Sequence, residues 1–210
     1  MPTITAITQQ KKLKDRFSVF VDGKFELGLA GSLITKYDIK VGDVYTDKLK
    51  GDLENDDFSE MAYTRLLNYL AYRERCEYEV NQWLFRKGYQ DLKDDLVARL
   101  KDHDYLNDAR YARLFIRDRV KLKGWGPIRL RHELNSKRID KGIIDVEIES
   151  IKDDSDFDQL ALDLVLRKTK NLAAPNFNDK KRLWSLLKRH GFETSTINAA
   201  LSQINFRKNE

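Results

Sequence analysis

The sequence has a single cysteine, Cys76, and only three histidines among its 210 residues. One cysteine cannot form a disulfide within the chain, and it also excludes a zinc site built from several cysteines. His103, His132 and His190 lie far apart along the chain without a cysteine partner, so we expect surface or helix-end residues. The composition therefore predicts a fold held together by a hydrophobic core, without a metal or cofactor.

The sequence also lacks long apolar runs and the common catalytic motifs. No uncharged apolar stretch approaches the ~20 residues that a transmembrane helix needs, and no basic and apolar leader opens the chain. Phosphate-binding loops of the GxxxxGK[ST] type, GxSxG turns and HExxH pairs are all missing. We therefore expect a cytoplasmic protein that contacts no membrane, has no catalytic residues and is not an enzyme.

Residues 1–45 predict a small N-terminal β-hairpin segment. Hydrophobic side chains alternate over residues 17–21 and again over residues 25–29, and Asp22-Gly23 between them is a strong two-residue turn signal. A hairpin of this size is marginally stable alone, so we expect it to pack on a helix. Residues 46–57 are acidic, which predicts a linker or a short bridging helix.

From residue 58 onward, apolar residues recur at helical spacing, which predicts a mainly α protein. A short motif also repeats: Leu84–Tyr89 resembles Leu134–Ile139 after 50 residues, and both resemble Leu187–Phe192 a further 53 residues on. This period predicts tandem three-helix repeats, which bury surface only against their neighbours and so form an elongated array suited to binding. The predicted repeats are residues 58–106, which include a lead-in helix, residues 107–172, and a truncated repeat over residues 173–210.

Positive charge is concentrated between Tyr105 and Gly142. This stretch holds eleven Lys and Arg against four Asp and Glu, a net charge of +7, whereas the whole chain carries only +5. The pattern predicts a helix capped by Asn107 or Asp108, a Gly-Trp-Gly-Pro break, and a second helix that starts at Pro127. The candidate site residues are the basic side chains of this stretch and the tryptophan of the break: Arg110, Arg113, Arg117, Lys121, Lys123, Trp125, Arg129, Arg131, Lys137 and Arg138.

The spacing of these cations favours a binding surface over an ordinary solvated helix face. Arg113, Arg117 and Lys121 are four residues apart and share one face, and Asp118 is the only acidic residue among them. Pairing within the helix cannot neutralise them, and uncompensated cations suit nucleic-acid phosphates or an acidic protein groove. Trp125 has two open interpretations: it stacks on a base or a partner, or it fills the interface between repeats.

At these residues the chain resembles the RecX family, the regulators of the RecA recombinase. The resemblance rests on residues 105–119 (YLxDxxYAxxFIxxR) and residues 123–137 (KGxxxIxxxxELxxK), with Tyr72-Arg73 ahead of the first repeat. It covers the helical region from about residue 58, and the N-terminal hairpin resembles an extension that some members have. Two positions depart from the family pattern: Arg138 replaces a glycine, and Cys76 stands where a serine or threonine cap is usual.

The resemblance implies a regulator built of tandem three-helix repeats that binds along the helical groove of the RecA–DNA filament. Members of the family limit filament growth or favour disassembly, and so lower ATP hydrolysis, strand exchange and co-protease activity. The implied partners are the RecA filament and single- or double-stranded DNA, for a monomer that acts in recombination, DNA repair and the SOS response. Two other functions stay open: a DNA-binding module that competes for single strands, and a helical scaffold for an unrelated partner.

Overall fold

The computed structural model describes residues 1–154, 156–170 and 175–207, and the fold is mainly α with a small antiparallel sheet at the N-terminus. The strands are β1 (Ile4–Gln9), β2 (Arg16–Val21) and β3 (Lys24–Ala30). The α-helices are α1 (Gly31–Lys36), α2 (Asp47–Leu70), α3 (Glu77–Arg86), α4 (Lys93–Asp102), α5 (Asp108–Lys123), α6 (Pro127–Ser136), α7 (Lys141–Asp154), α8 (Phe157–Thr169), α9 (Phe177–His190) and α10 (Thr194–Ser202). Within the described ranges, no helix is both long and apolar enough to cross a membrane.

The chain divides into two compact units. The first comprises residues 1–73 and 88–96, and the second comprises residues 74–87 together with the chain from Val97 onward. Each unit has its own hydrophobic core, which in the first unit lies between the sheet, α1 and the start of α2.

The N-terminal sheet is larger than the predicted hairpin. β2 and β3 are joined by Asp22-Gly23 as predicted, and both turn residues have positive φ (49° and 78°), as a tight turn between twisted strands requires. Ile4–Gln9 pairs antiparallel with β2 and adds a third strand, so that the strand order is β1-β2-β3. The buried side chains of this sheet include Ile4, Val19 and Leu29.

Residues 46–57 cap and begin the 24-residue helix α2, so the second predicted alternative, a helix, describes them, although this helix is longer than a short bridge. Thr46 is the N-cap, and its hydroxyl accepts a hydrogen bond from the Leu49 N–H at 3.1 Å. The acidic residues occupy only part of the helix surface, because Leu53 is fully buried in the core of the first unit. Acidic composition thus indicated one solvated face of a helix rather than a solvated segment.

A buried carboxylate in α2 fixes the sheet to that helix. Asp57 is 8% exposed, and its Oδ2 lies 2.7 Å from Nη2 of Arg16 on β2. Its Oδ1 accepts a hydrogen bond from the Ala30 N–H at 2.9 Å, at the end of β3. The charge is thereby paired and hydrogen-bonded, which is the condition for burying a carboxylate without a large loss of stability.

Replacing Tyr45 with phenylalanine is expected to reduce the loss of stability at alkaline pH. Tyr45 is buried in the first unit, and its hydroxyl has no hydrogen-bond partner among the described residues. Burial, followed by the charges of Glu26 and Glu54, raises the pKa of Tyr45 from 10.0 to about 12. Because the folded-state pKa lies above the unfolded one, this group's stabilising contribution is complete below pH 10 and is lost as the pH rises towards 12.

Chemical denaturation at pH 7 and at a pH between 10 and 12 measures this effect. The phenylalanine variant should be at least as stable as the parent at pH 7, since it removes a buried hydroxyl without removing a hydrogen bond, and it should lose less stability at the higher pH. Tyr72→Phe is the matched control, because Tyr72 is 87% exposed. An alkaline loss in Tyr45→Phe equal to that of the parent would contradict the assignment.

The second unit contains two groups of three packed helices. α5, α6 and α7 pack on one another through Ile116, Leu130 and Ile148, and α8, α9 and α10 contact one another in the same way. Both groups share one hydrophobic cluster. The predicted division at residue 173 falls between α8 and α9, inside the second of these groups.

Candidate functional site

Helix α5 carries half of the candidate site residues on its outer side. Asn107 is the N-cap, and its side-chain oxygen accepts a hydrogen bond from the Arg110 N–H at 3.0 Å. Gly124 ends the helix in the left-handed conformation, with φ +61°. The buried stripe turns the basic residues outward; it consists of Tyr111, Ala112, Ile116 and Val120.

Two of the predicted site residues on α5 are neutralised by carboxylates from other parts of the second unit. Arg110 lies 2.7 Å from an oxygen of Glu74 and 2.6 Å from an oxygen of Asp104. Arg113 donates two hydrogen bonds to Glu147 on α7, at 2.9 and 3.0 Å, and Glu147 is only 6% exposed. Both arginines therefore hold the fold together, which their spacing within the helix did not indicate.

Replacing Arg113 with alanine is expected to lower the melting temperature by several degrees. The substitution leaves Glu147 buried without its bidentate partner, and an unpaired buried carboxylate is strongly unfavourable. Arg117→Ala, one turn further along the same exposed side, is the matched control and should change the melting temperature little. Thermal unfolding followed by circular dichroism measures both variants, and equal melting temperatures would contradict a structural role for Arg113.

The cations of α6 and of the turn that follows it are also engaged within the second unit. Lys137 lies 2.8 Å from Glu79 on α3. Burial opposes its charged form, but hydrogen bonds with Glu79 and Tyr111 outweigh this effect and raise the pKa of Lys137 above its ordinary value. Arg131 lies 3.3 Å from Asp145, and Arg138, at φ +57°, places its guanidinium 4.8 Å from the ring centroid of Tyr78.

Trp125 packs against the core of the second unit. The guanidinium of Arg129 lies over its ring at 4.1 Å from the centroid, and that of Arg119 lies over it at 5.4 Å. The edge of Phe115 is also close, with ring centroids 6.1 Å apart. These contacts lie within the second unit and use Arg129 as part of the packing, and both interpretations of Trp125 stay predictions.

The break around Trp125 also joins two repeats. The Gly126 N–H donates to the His190 carbonyl at 2.8 Å, and the Ile128 N–H donates to the Gly191 carbonyl at 3.0 Å. The backbones approach so closely that a Cβ on Gly126 would lie 2.5 Å from the Gly191 oxygen. No sequence pattern indicated that these two glycines meet.

Three predicted site residues stay exposed and unpaired: Arg117, Lys121 and Lys123 have no carboxylate partner in the described part of the chain. Arg117 and Lys121 share the exposed side of α5 with Asp118 and two apolar side chains, Leu114 (39% exposed) and Leu122 (69% exposed), and Lys123 is exposed at the C-terminal end of the same helix. We call this surface, Leu114, Arg117, Asp118, Lys121, Leu122 and Lys123, the α5 outer face. It combines uncompensated positive charge with exposed apolar surface.

The three-helix groups define a mainly α protein built from small helical domains, and one of these domains carries the basic α5 outer face. Family comparisons agree: residues 2–46 match the "Regulatory protein RecX N-terminal domain", residues 62–92 match "RecX, first three-helix domain", and residues 107–146 match "RecX, second three-helix domain". All ten candidate site residues lie within the last of these matches. Among the described residues, no group of three or more His, Cys, Asp and Glu side chains could hold a metal ion.

Whole-chain relatives carry the same description. The "Regulatory protein RecX" of Bacillus subtilis strain 168 is 30% identical over 213 residues, covering 100% of this chain and 80% of the relative. The protein of the same description from Staphylococcus aureus strain Newman is 25% identical, covering 100% of this chain and 77% of the relative. The chain therefore belongs to the RecX family of regulatory proteins.

Solved structures show the same fold. A structure described as "Crystal structure of regulatory protein RecX" is 23% identical, with a TM-score of 0.84 over 96% of this chain and 100% of that chain. A second, RecX from Lactobacillus salivarius, is 22% identical, with a TM-score of 0.63 over 70% of this chain and 97% of that chain.

Proposed function

We propose that this chain is a negative regulator of the RecA recombinase that binds the RecA–DNA filament and limits its growth. Lower ATP hydrolysis, strand exchange and co-protease activity then follow from fewer active protomers on the DNA. Membership in a family of regulatory proteins supports this function, together with the resemblance of residues 105–137 to regulators of RecA. We further propose that the protein acts in the cytoplasm as a monomer.

The observation that carries the proposal is the unpaired charge of the α5 outer face. Arg110, Arg113, Arg131 and Lys137 each have a carboxylate within 3.3 Å. Arg117, Lys121 and Lys123 have none among the described residues, although they belong to the same basic stretch. A helix that keeps three exposed cations uncompensated suits an acidic partner, which would be attracted over a distance of about 10 Å at 0.1 M salt.

The leucines of this face favour a protein partner over a phosphate backbone. Leu122 is 69% exposed, and Leu114 is 39% exposed beside the cations. An apolar side chain gains nothing from phosphate oxygens, whereas protein interfaces bury apolar and charged groups together. We therefore propose that the α5 outer face contacts an acidic surface of the recombinase within the filament.

The test is ATP hydrolysis by RecA on single-stranded DNA while this protein is titrated from far below stoichiometric amounts. Inhibition at low ratios that survives a large excess of competitor DNA would support binding to the filament. Inhibition only near saturation that competitor DNA removes would mean that the protein merely coats DNA. The absence of any effect would leave a helical scaffold for another partner.

A further inference from the structure

Helix α9 carries a second concentration of positive charge, outside all the residues discussed as the site. Its fourteen residues include five Lys and Arg against one Asp, a net charge of +4. Four of its side chains line an open cleft of about 400 Å³: Lys181, Arg182, Ser185 and Arg189. We call this surface the α9 cleft.

Cations in the last turn of a helix usually neutralise its free carbonyl groups. At the end of α9 these acceptors are already occupied by the break between α5 and α6. The carbonyls of His190 and Gly191 accept hydrogen bonds from backbone N–H groups of that break. The Arg189 carbonyl accepts a hydrogen bond from the Arg129 guanidinium at 3.2 Å. The side chain of Arg189 is therefore not needed to cap α9.

Two of the three cations of the α9 cleft have no neighbouring carboxylate either. Lys181 and Arg189 have no carboxylate within 4.0 Å among the described residues. Arg182 is 3.9 Å from Asp179, but the other oxygen of Asp179 accepts the Asn176 N–H in the capping box of α9. Lys181 and Arg189 thus leave their charge uncompensated, and Arg182, whose side chain is 84% exposed, stays accessible to an anionic partner.

An exposed aromatic ring extends the same stripe. Phe177 is 48% exposed, and the Lys181 ammonium lies 4.8 Å from the centroid of its ring. Phe177, Lys181, Ser185 and Arg189 are four residues apart, so they run along one side of α9 for about 18 Å. Proteins bind single-stranded nucleic acids with a row of cations along the phosphate backbone and with aromatic rings that stack on the bases. The α9 cleft has both features.

We propose that the α9 cleft binds single-stranded DNA, with Lys181, Arg182 and Arg189 on phosphates and Phe177 stacked on a base. The choice of DNA rests on the proposed function, since a filament regulator meets the strand on which the recombinase assembles. The α9 cleft exposes no aliphatic side chain comparable to Leu122, so the two basic surfaces of the second unit differ in chemistry. The α5 outer face suits protein, and the α9 cleft suits nucleic acid.

The test is fluorescence anisotropy of a labelled 20-nucleotide oligothymidylate titrated with the full chain between 50 and 200 mM salt. Lys181→Ala/Arg182→Ala/Arg189→Ala is expected to weaken binding at least ~10-fold and to make the slope of log affinity against log salt shallower by about 2. Phe177→Ala should weaken binding about fivefold. The matched control is Lys11→Ala/Lys12→Ala/Lys14→Ala, which removes the same charge from exposed lysines of the first unit and should stay within about twofold.

Three results would overturn the proposal: no binding by the parent chain, unchanged affinity in the α9 variant, or an equal loss in the lysine control. Tighter binding to a duplex of the same length, with no effect of Phe177→Ala, would assign the cleft to duplex phosphates instead. The conservative variant Lys181→Arg/Arg182→Lys/Arg189→Lys should keep affinity within about threefold, which separates loss of charge from loss of fold. RecA inhibition is measured in parallel, so oligonucleotide binding without inhibition would refute the proposed function alone.

Discussion

Replacing Arg117, Lys121 and Lys123 with glutamate is expected to raise the concentration needed for half-inhibition of RecA by about 100-fold or more. The α5 outer face would then present three negative charges to a surface that attracted three positive ones, and like charges facing each other cost several kcal/mol. Stability should change little, because none of the three side chains has a carboxylate partner in the described ranges. The measurement is ATP hydrolysis by RecA on single-stranded DNA.

The matched control for this variant is Lys11→Glu/Lys12→Glu/Lys14→Glu. It makes the same change in net charge on three exposed lysines between β1 and β2, and it should leave inhibition within a few-fold. Equal loss of inhibition in both variants would mean that only overall charge matters, and full inhibition by the α5 variant would exclude its outer face from binding. Arg113 is left unchanged because its pairing with buried Glu147 would mix a stability effect with a binding effect.

Replacing Gly191 with alanine is expected to destabilise the second unit by about 4 kcal/mol. Gly191 has φ +84°, and a Cβ there would lie 2.3 Å from the Arg129 backbone nitrogen, which cannot move without breaking the start of α6. Gly126→Ala should have a comparable effect, because its Cβ would lie 2.5 Å from the Gly191 oxygen. Urea unfolding followed by circular dichroism measures the difference in the free energy of unfolding.

Gly88→Ala separates the two causes of the expected destabilisation, which are the backbone strain of a positive φ and the steric clash of the added Cβ. Gly88 also follows a helix with positive φ (+76°), but nothing lies within 4 Å of its Cβ position. Its replacement therefore introduces only the backbone strain, about 1 kcal/mol. If Gly191→Ala and Gly88→Ala lowered the free energy of unfolding by the same amount, the clash expected from the close approach of the two repeats would be absent.

The repeated motif was predictable because each copy contains the residues that the end of a helix needs: a buried leucine and a residue with positive φ. In each copy of the motif the first leucine is fully buried: Leu84, Leu134 and Leu187. The residues at the fifth position, Gly88, Arg138 and Gly191, all have positive φ. Arg138 adopts this conformation although it is not a glycine. The geometry of the helix end is therefore the same in all three copies, although the residue type differs.

The start of α2, where a linker and a helix were both predicted, and α5, where only a helix was predicted, differ for a physical reason. α5 is marked at both ends by residues with local roles, Asn107 and Gly124, and its apolar stripe is complete. The start of α2 has a cap at Thr46, but the surrounding acidic residues outnumber the apolar ones that face the core. Composition averages over the faces of a helix, whereas burial depends on one face.

The candidate site was visible in the sequence only as a concentration of charge. Glu74, which pairs with Arg110, and Glu147, which pairs with Arg113, lie 36 and 34 residues away in the chain, and no periodicity connects them. The basic residues of α9 are also visible in the sequence, but their net charge of +4 is smaller than the +7 of residues 105–142. Which cations are available to a partner depends on tertiary pairing, and only the structure contains it.

The contact between Gly126 and Gly191 has a consequence for how such a protein can gain or lose repeats. Tandem repeats are often treated as interchangeable modules. Here, however, the helix end that packs against the Gly-Trp-Gly-Pro break, the end of α9, needs glycine at position 191. The end of α3, with Gly88, meets that requirement, whereas the end of α6, with Arg138 in the matching place, does not. Duplication or shuffling of these modules is therefore restricted to orders in which a glycine-ended helix meets the Gly-Trp-Gly-Pro break.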